Sequence, residues 1–160
     1  MARARWPGFY AGHGVPDTLD GRFELIALHV FLVLHRIRAV PAAAAFGQAL
    51  FDAMFTDMDR GLRELGTGDL SVGKQVKRMA TGFYGRTAAY QAGLEGGADL
   101  AEALRRNLFG TVADPEPDHL AWFAAYLRDQ AAALERQDAA AIGAGRIAFE
   151  APEQATSSAS

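Results

Sequence analysis

The sequence predicts an all-α protein, a single-domain bundle of about five main helices around a central apolar helix. Apolar residues recur at spacings of three and four along several segments, which is the pattern of one buried helix face. Glycine and proline separate these segments at points where helices commonly end. No segment alternates apolar and polar residues as a half-buried strand does.

The first main helix is predicted to begin near Asp17, whose side chain can cap free N–H groups, and to end near Ala39, ahead of Pro41. Its apolar side chains surround nearly the whole helix axis; they are Leu25, Ile26, Leu28, Val30, Phe31, Leu32, Val33 and Leu34. Exposing half of them would cost on the order of ten kcal/mol, at roughly 1.5–3 kcal/mol for each large side chain. This helix is therefore predicted to be the central one.

The second helix is predicted to run from about Pro41, a favourable first-turn residue, to Leu65, with Gly66 as its C-terminal stop. Its apolar residues cover an arc of roughly 140°. They are Leu50, Phe51, Met54, Phe55, Met58, Leu62 and Leu65. The arc is predicted to be core, although its phenylalanines and methionines would also suit a surface that adapts to varied apolar partners.

The third helix follows a glycine-bounded connector, with Asp69 or Ser71 as its predicted cap, and ends before the glycines at 93, 96 and 97. Its predicted inner face repeats at spacings of three and four. The residues of that face are Val72, Val76, Met79, Phe83, Thr87, Tyr90 and Leu94. A stripe of this kind is predicted to bury against other helices.

Positive charge lies on the opposite face of the third helix. At 100° per residue, Lys74, Lys77 and Arg78 fall roughly opposite the inner face, and Tyr84 and Arg86 fall on its two flanks. The helix could therefore hold a core together and present charge to an acidic segment, a lipid headgroup layer or RNA. Two alternatives stay open: an ordinary solvated face, and internal pairing with acidic residues of the second helix, which are Asp57, Asp59 and Glu64.

Two further helices complete the predicted bundle. The fourth opens with a capping box of Asp99 and Glu102 and ends at Gly110; its inner face is Leu100, Ala103, Leu104 and Leu108. The fifth is predicted to open at Asp114-Pro115, and its stripe is Leu120, Phe123, Leu127, Ala131 and Leu134, with Trp122 and Tyr126 beside it.

The predicted domain boundaries are an N-terminal arm over residues 1–15, the helical domain over 16–150 and a disordered tail over 151–160. Within the domain, the segment GRIAFE (145–150) is predicted to be extended or docked.

Composition excludes several classes of function. The chain has 160 residues and a formal net charge of −3, which argues against wholesale nucleic-acid binding and against DNA as a partner. It has no cysteine, which excludes disulfides, thiolate metal sites and cysteine nucleophiles. The most apolar run, Leu25 to Leu34, is shorter than the roughly 20 residues a spanning helix needs. No apolar run follows the basic N-terminal residues, so no signal peptide is expected.

The phosphate-binding and metal-binding motifs in the sequence are incomplete. The segment from Gly68 to Lys74 has the spacing of a phosphate-binding loop, but Gln75 stands where Ser or Thr should hold magnesium. Glu116 and His119 form a single Glu-x-x-His pair, interrupted by a proline and without a second copy. The sequence therefore predicts no enzyme, no cofactor and no metal site. His29, inside the apolar run, is predicted to be a core histidine that donates to a neighbour.

Three segments together resemble a known family. They are DGRFELIALHVFLVLHRIR (20–38), QALFDAMFTDMDRGLRELGTGDLSVGKQVKRMATGFYGRTAAY (48–90) and LAEALRRNLFG (100–110). Their order, spacing and residue types resemble the ubiquinol–cytochrome c chaperone family of assembly factors, over about Val15 to Gly110 and again at GRIAFE. The short leader and the Ala- and Arg-rich composition are similar to a bacterial member. The family motif positions present are Asp20, Gly21, Arg22, Phe23, Asp57, Asp59, Arg63, Gly66, Asp69, Gly73, Lys74, Lys77, Arg78, Phe83, Tyr84 and Arg86.

The resemblance implies a non-catalytic helical chaperone that binds newly made cytochrome b, apo or partly haem-loaded, while ubiquinol–cytochrome c reductase is assembled. It also implies a cytoplasmic location, with peripheral contact at the inner face of the cytoplasmic membrane and contact with the ribosome or a small co-chaperone as open points. The residues taken as partner-binding are Arg22, Phe51, Phe55, Met58, Arg63, Lys74, Lys77, Arg78, Tyr84 and Arg86. The alternative function is an RNA- or ribosome-contacting module that uses the basic face of the third helix.

Overall fold

A computed structural model describes residues 2–152, and within this range the chain forms helices and turns but no strand. The helices are α1 (Gly8–Ala11), α2 (Leu19–Ile37), α3 (Ala44–Glu64), α4 (Asp69–Leu94), α5 (Leu100–Arg106), α6 (Pro117–Glu135) and α7 (Ala139–Gly143), with short 3-10 turns at Arg3–Arg5 and Pro41–Ala43. The all-α prediction is confirmed. Residues 153–160 of the predicted disordered tail lie outside the described residues.

Helix α2 is the central helix, as its apolar circumference predicts. Both Leu25 and Leu28 are fully buried, and most of the helix is buried with them. It packs against α3, α4, α6, α7 and the first 3-10 turn. Helices α3 and α4 form an antiparallel hairpin on one side, and α4, α5 and α6 continue the layer around it.

The N-terminal caps of α2 and α4 differ from the sequence prediction. Thr18, with the extended backbone that a cap requires, accepts a hydrogen bond on its hydroxyl from the Gly21 N–H at 3.1 Å. Asp17 instead forms an ion pair with Arg22. Helix α4 starts after Gly68, without a side-chain cap, and Asp69 is its first residue. The expected capping roles of Asp17, Asp69 and Ser71 were therefore wrong.

The start of α6 was also misplaced by the sequence prediction. The helix begins at Pro117, with Glu116 as its extended cap residue, and not at Asp114-Pro115. A proline excludes the preceding residue from helical geometry, so Pro117 prevents a helix from running through Glu116. At α5, Asp99 caps the helix as predicted. The other half of the capping box was wrong, because the Glu102 carboxylate binds two arginines of its own helix.

Both ends of the described chain are packed onto the bundle. The N-terminal segment that was predicted as an arm places Phe9 in the core, where its ring lies against Phe123 and Tyr126 at centroid distances of 5.7 and 5.5 Å. Near the other end, the segment 145–150, which follows α7 without forming a helix or a strand, docks on α6. The Gln130 side chain donates to the Glu150 carbonyl and accepts from its N–H, both at 3.0 Å. The predicted docking of GRIAFE is confirmed.

The core histidine is confirmed, and its tautomer follows from its partners. His29 Nδ1 lies 2.7 Å from the Leu25 carbonyl, which can only accept, so Nδ1 carries the proton. Its Nε2 then accepts from the Tyr126 hydroxyl, at 2.8 Å. Burial lowers the pKa of His29 to about 4, so the ring is neutral at neutral pH.

Replacing Tyr126 with phenylalanine is expected to lower the free energy of unfolding by about 1–3 kcal/mol, because Nε2 of His29 would stay buried without a donor. Urea unfolding at pH 7 measures the loss, and the same substitution made in a His29→Leu background is the control. If the loss is undiminished in that background, the hydroxyl acts through something other than His29.

The same histidine makes the fold sensitive to acid. The pKa of His29 is lower in the folded chain than its value of about 6.5 in an unfolded one, so the unfolded chain binds the proton first. The stability that comes from a neutral His29 is therefore complete above about pH 6.5 and is lost as the pH falls towards 4.

Candidate partner-binding surface

Three cations lie together on the outer face of α4. Lys74, Lys77 and Arg78 are exposed, and none of them forms an ion pair with any residue from 2 to 152. The opposite face of α4 is buried at Val72, Met79, Phe83 and Tyr90, as the spacing predicts. The helix therefore joins the core on one side and presents unpaired positive charge on the other.

Acidic residues of the second helix do not neutralise this charge. Asp57 pairs with Arg5 of the first 3-10 turn, at 3.1 Å. Arg63 binds Asp59, at 3.0 Å, and also Asp69. Glu64 forms no ion pair with these cations either, so internal pairing with Asp57, Asp59 or Glu64, one of the two alternatives left open by the sequence, is wrong within residues 2–152.

Arg86, the fourth cation of α4, is placed differently. Its Nε donates to the two carboxylate oxygens of Glu24 at 2.7 and 2.8 Å, and its Nη2 also binds this carboxylate. Glu24 is buried on α2, and burial raises its pKa while the Arg86 hydrogen bonds lower it. The guanidinium also lies over the Phe23 ring, 5.3 Å from its centroid. The positive charge of Arg86 is therefore largely balanced by the Glu24 carboxylate within the fold.

A largely apolar groove lies further along α4, where Tyr84 is two turns beyond Lys77 on the same side of the helix. Tyr84 is 66% exposed, and its ring lies 6.0 Å from that of Phe51, which in turn lies 4.7 Å from Phe55. Both phenylalanines are half-buried. The groove has a volume of about 350 Å³, and its wall includes Leu34, Val40, Phe51, Phe83 and Tyr84. Helix α4 therefore carries the unpaired cations and, further along, one wall of the groove.

The other predicted partner-binding residues do not join this groove. Met58 is only 3% exposed, and Met54 is fully buried, so the adaptable methionine surface considered for α3 is core. Met58 and Arg22 contribute to a separate cleft on the α2–α3 side, and Arg63 is held by two carboxylates. The structure thus brings together Phe51 and Tyr84, places the three cations further back on α4, and places Arg22 and Met58 elsewhere.

Sequence reasoning missed a third cleft, between α2, α4 and the turn after α5. Its volume is about 360 Å³. Arg78, Arg86 and Arg106 line it, and so do the buried side chains of Phe23, Met79 and Leu108. Glu24 was the available signal, because a carboxylate between Phe23 and Leu25 on the central helix must be paired if it is buried. Nothing in the spacing identified Arg86 as its partner.

Two further observations concern metals and membranes. Within residues 2–152, no group of three or more His, Asp or Glu side chains is placed to hold a metal ion. In the same range, no helix combines the length and the apolar character needed to cross a membrane.

Comparison with known proteins gives consistent matches. The sequence matches the family described as ubiquinol-cytochrome C chaperone over residues 11–149. It is 28% identical over 149 residues to mitochondrial protein CBP3 of Saccharomyces cerevisiae, covering 90% of this chain and 44% of that protein. It is 26% identical over 140 residues to ubiquinol-cytochrome-c reductase complex assembly factor 1 of Xenopus laevis, covering 86% of this chain and 70% of that protein.

A solved structure is similar over nearly the whole fold. The crystal structure of the Cbp3 homolog from Brucella abortus is 41% identical, with a TM-score of 0.83, and the match covers 96% of this chain and 85% of that one. The chain spans less than half the length of the yeast relative.

Proposed function

The chain belongs to the ubiquinol–cytochrome c chaperone family, and from this premise we propose that it is a non-catalytic chaperone for assembly of ubiquinol–cytochrome c reductase. Its client in this proposal is newly made cytochrome b. The name of the Xenopus relative, an assembly factor of the same complex, supports this assignment. The observation that carries the proposal is that α4 presents unpaired cations and, two turns further on, the exposed Tyr84 at the wall of an apolar groove.

The chemistry of this surface suits such a client. Cytochrome b is strongly apolar and has charged loops, so a chaperone for it needs apolar area next to fixed charge. Tyr84 and Phe51 supply the first, and Lys74, Lys77 and Arg78 supply the second. Unpaired charges steer an oppositely charged segment and fix its register, while aromatic side chains provide most of the contact energy.

Reversing the charge at all three positions (Lys74→Glu, Lys77→Glu, Arg78→Glu) is expected to lower co-purification of cytochrome b by at least about tenfold, because attraction becomes repulsion at each site. The measurement is capture of cytochrome b from native membranes by the tagged chain, with folding checked by circular dichroism.

A matched control reverses Arg105, Arg128 and Arg146, which are exposed on α5, α6 and the C-terminal segment. This variant has the same net charge as the first, so a general charge effect would lower capture equally in both. Unchanged capture by the α4 variant would remove this face as the client surface.

The alternative of an RNA- or ribosome-contacting module is not favoured by the family description or by the names of the relatives. It has its own measurement, since binding to phosphates through several cations weakens steeply as salt is raised. Contact with the ribosome, with a small co-chaperone and with the membrane surface would each add to the proposed client binding without replacing it.

A further inference from the structure

On the basis of the proposed function, we propose that the cleft between α2, α4 and the turn after α5 binds one carboxylate side chain of the client, with Nη1 of Arg86 as its principal donor. The cleft has arginines at its rim and apolar side chains below them. It is separate from the Tyr84 groove, and Arg78 belongs both to the cleft and to the outer face of α4.

The orientation of Arg86 is fixed by its neighbours. Glu24 binds Nε and Nη2, and the Phe23 ring lies under the guanidinium. Nη1 then remains, and it donates to no protein group among the residues from 2 to 152. Glu24 is therefore a positioning residue: it holds the guanidinium of Arg86 in one orientation, with Nη1 next to Gly82.

Because Gly82 has no side chain, it leaves space for Nη1 of Arg86. It is one turn before Arg86 on α4 and lines the same cleft. A Cβ at this position would collide with Nη1 of Arg86. Gly85, three residues further along, has nothing near the position of its Cβ. Glycine in the middle of a helix is unfavourable, and at 82 the structure gives a specific reason for it.

The surroundings of Nη1 favour a carboxylate. Arg78 is exposed and has no ion pair within the described range, while Arg106 shares the Glu102 carboxylate with Arg105. Asp20 is the opposing charge at the rim, since Glu24 is already paired. Three guanidinium groups and two carboxylates line the cleft, so positive charge exceeds negative charge there, and a charge-assisted hydrogen bond from Nη1 to an added carboxylate is favoured.

The apolar side chains of the cleft favour a carboxylate attached to a chain over a free inorganic anion. Phe23, Met79 and Leu108 would contact the methylene groups of a Glu or Asp side chain and its neighbours. Through Arg78, the cleft continues onto the face that is proposed to meet the client. An acidic residue of a client segment lying along α4 could enter the cleft from that face.

The test compares Gly82→Ala with Gly85→Ala. Both changes favour the helix equally, but only the first displaces Nη1 of Arg86. We expect Gly82→Ala to lower capture of cytochrome b by about tenfold, as for the loss of one charge-assisted hydrogen bond, and Gly85→Ala to leave it unchanged. Equal capture by the two variants would overturn the inference, and melting curves of both would identify a loss that comes from unfolding.

A second measurement places a crosslinking probe in the cleft. A benzophenone amino acid at Thr111, which lines the cleft, should form a crosslink to cytochrome b, and one at Arg105, outside it, should not. If Thr111 gives no crosslink while the wild-type chain captures cytochrome b, the inference is wrong and the proposed function stands.

If inorganic phosphate raises the melting temperature of the wild type but not of Gly82→Ala, and the two variants capture cytochrome b equally, the cleft binds a free anion instead. Failure of the wild type to capture cytochrome b would overturn the proposed function itself.

Discussion

Replacing Arg86 with alanine is expected to lower the free energy of unfolding by about 3 kcal/mol, since it leaves the carboxylate of Glu24 buried without its partner. The pair joins the central helix α2 to α4, so the loss falls on the packing of the whole bundle. Urea unfolding at pH 7 measures the change. The matched control is Arg105→Ala, whose partner Glu102 is exposed, and we expect it to change stability little.

The pH dependence of this variant distinguishes a buried charge from lost packing. Burial already raises the pKa of Glu24, and without Arg86 the pKa rises further. A raised pKa in the folded chain means that the penalty is absent when the carboxyl is protonated and grows as the pH rises through the folded pKa. The deficit of Arg86→Ala should therefore shrink on going from pH 7 towards pH 4. A deficit that is independent of pH would indicate lost contacts with Phe23 rather than an unpaired carboxylate.

The helices were predictable because their signals are local. The spacing of Val72, Met79 and Phe83 on α4 describes a single face, and Gly66 stops α3 without reference to the rest of the chain. Helix starts were less predictable because several candidate caps compete within a few residues. Asp17 and Thr18 can both cap α2, and only the extended backbone at Thr18 decides between them.

The candidate surface was predictable in part for the same reason. The helical period placed Lys74, Lys77 and Arg78 outside, but it could not tell which cations find partners elsewhere in the fold. Arg86 pairs with Glu24, which is 62 residues away in sequence. Helical periodicity describes one helix at a time, so it cannot predict a contact between two such residues. Met58 was included among the partner-binding candidates although its arc on α3 was predicted to be core, and the packing of α2 against that arc buries it.

The packing of the N-terminal segment is likewise invisible to local sequence signals. Glycines and a proline surround Phe9, so the sequence separates residues 1–15 as an arm. In the fold, Phe9 is fully buried among aromatic rings that α2 and α6 supply. Replacing Phe9 with alanine is expected to lower the free energy of unfolding by about 3–5 kcal/mol, because the lost ring leaves a cavity in a close-packed core.

The control for this prediction is Tyr84→Ala, which also removes an aromatic ring but from a side chain that is 66% exposed. We expect it to change stability little, as is usual for surface substitutions away from special contacts. Urea unfolding of the two variants therefore compares the same kind of truncation inside and outside the core. If Phe9→Ala unfolds like Tyr84→Ala, the first 15 residues are a detachable arm after all. If it unfolds as expected, the segment before α2 is part of the cooperative unit that holds the α4 surface in place, because the same core cluster contains residues of α2, α4 and α6.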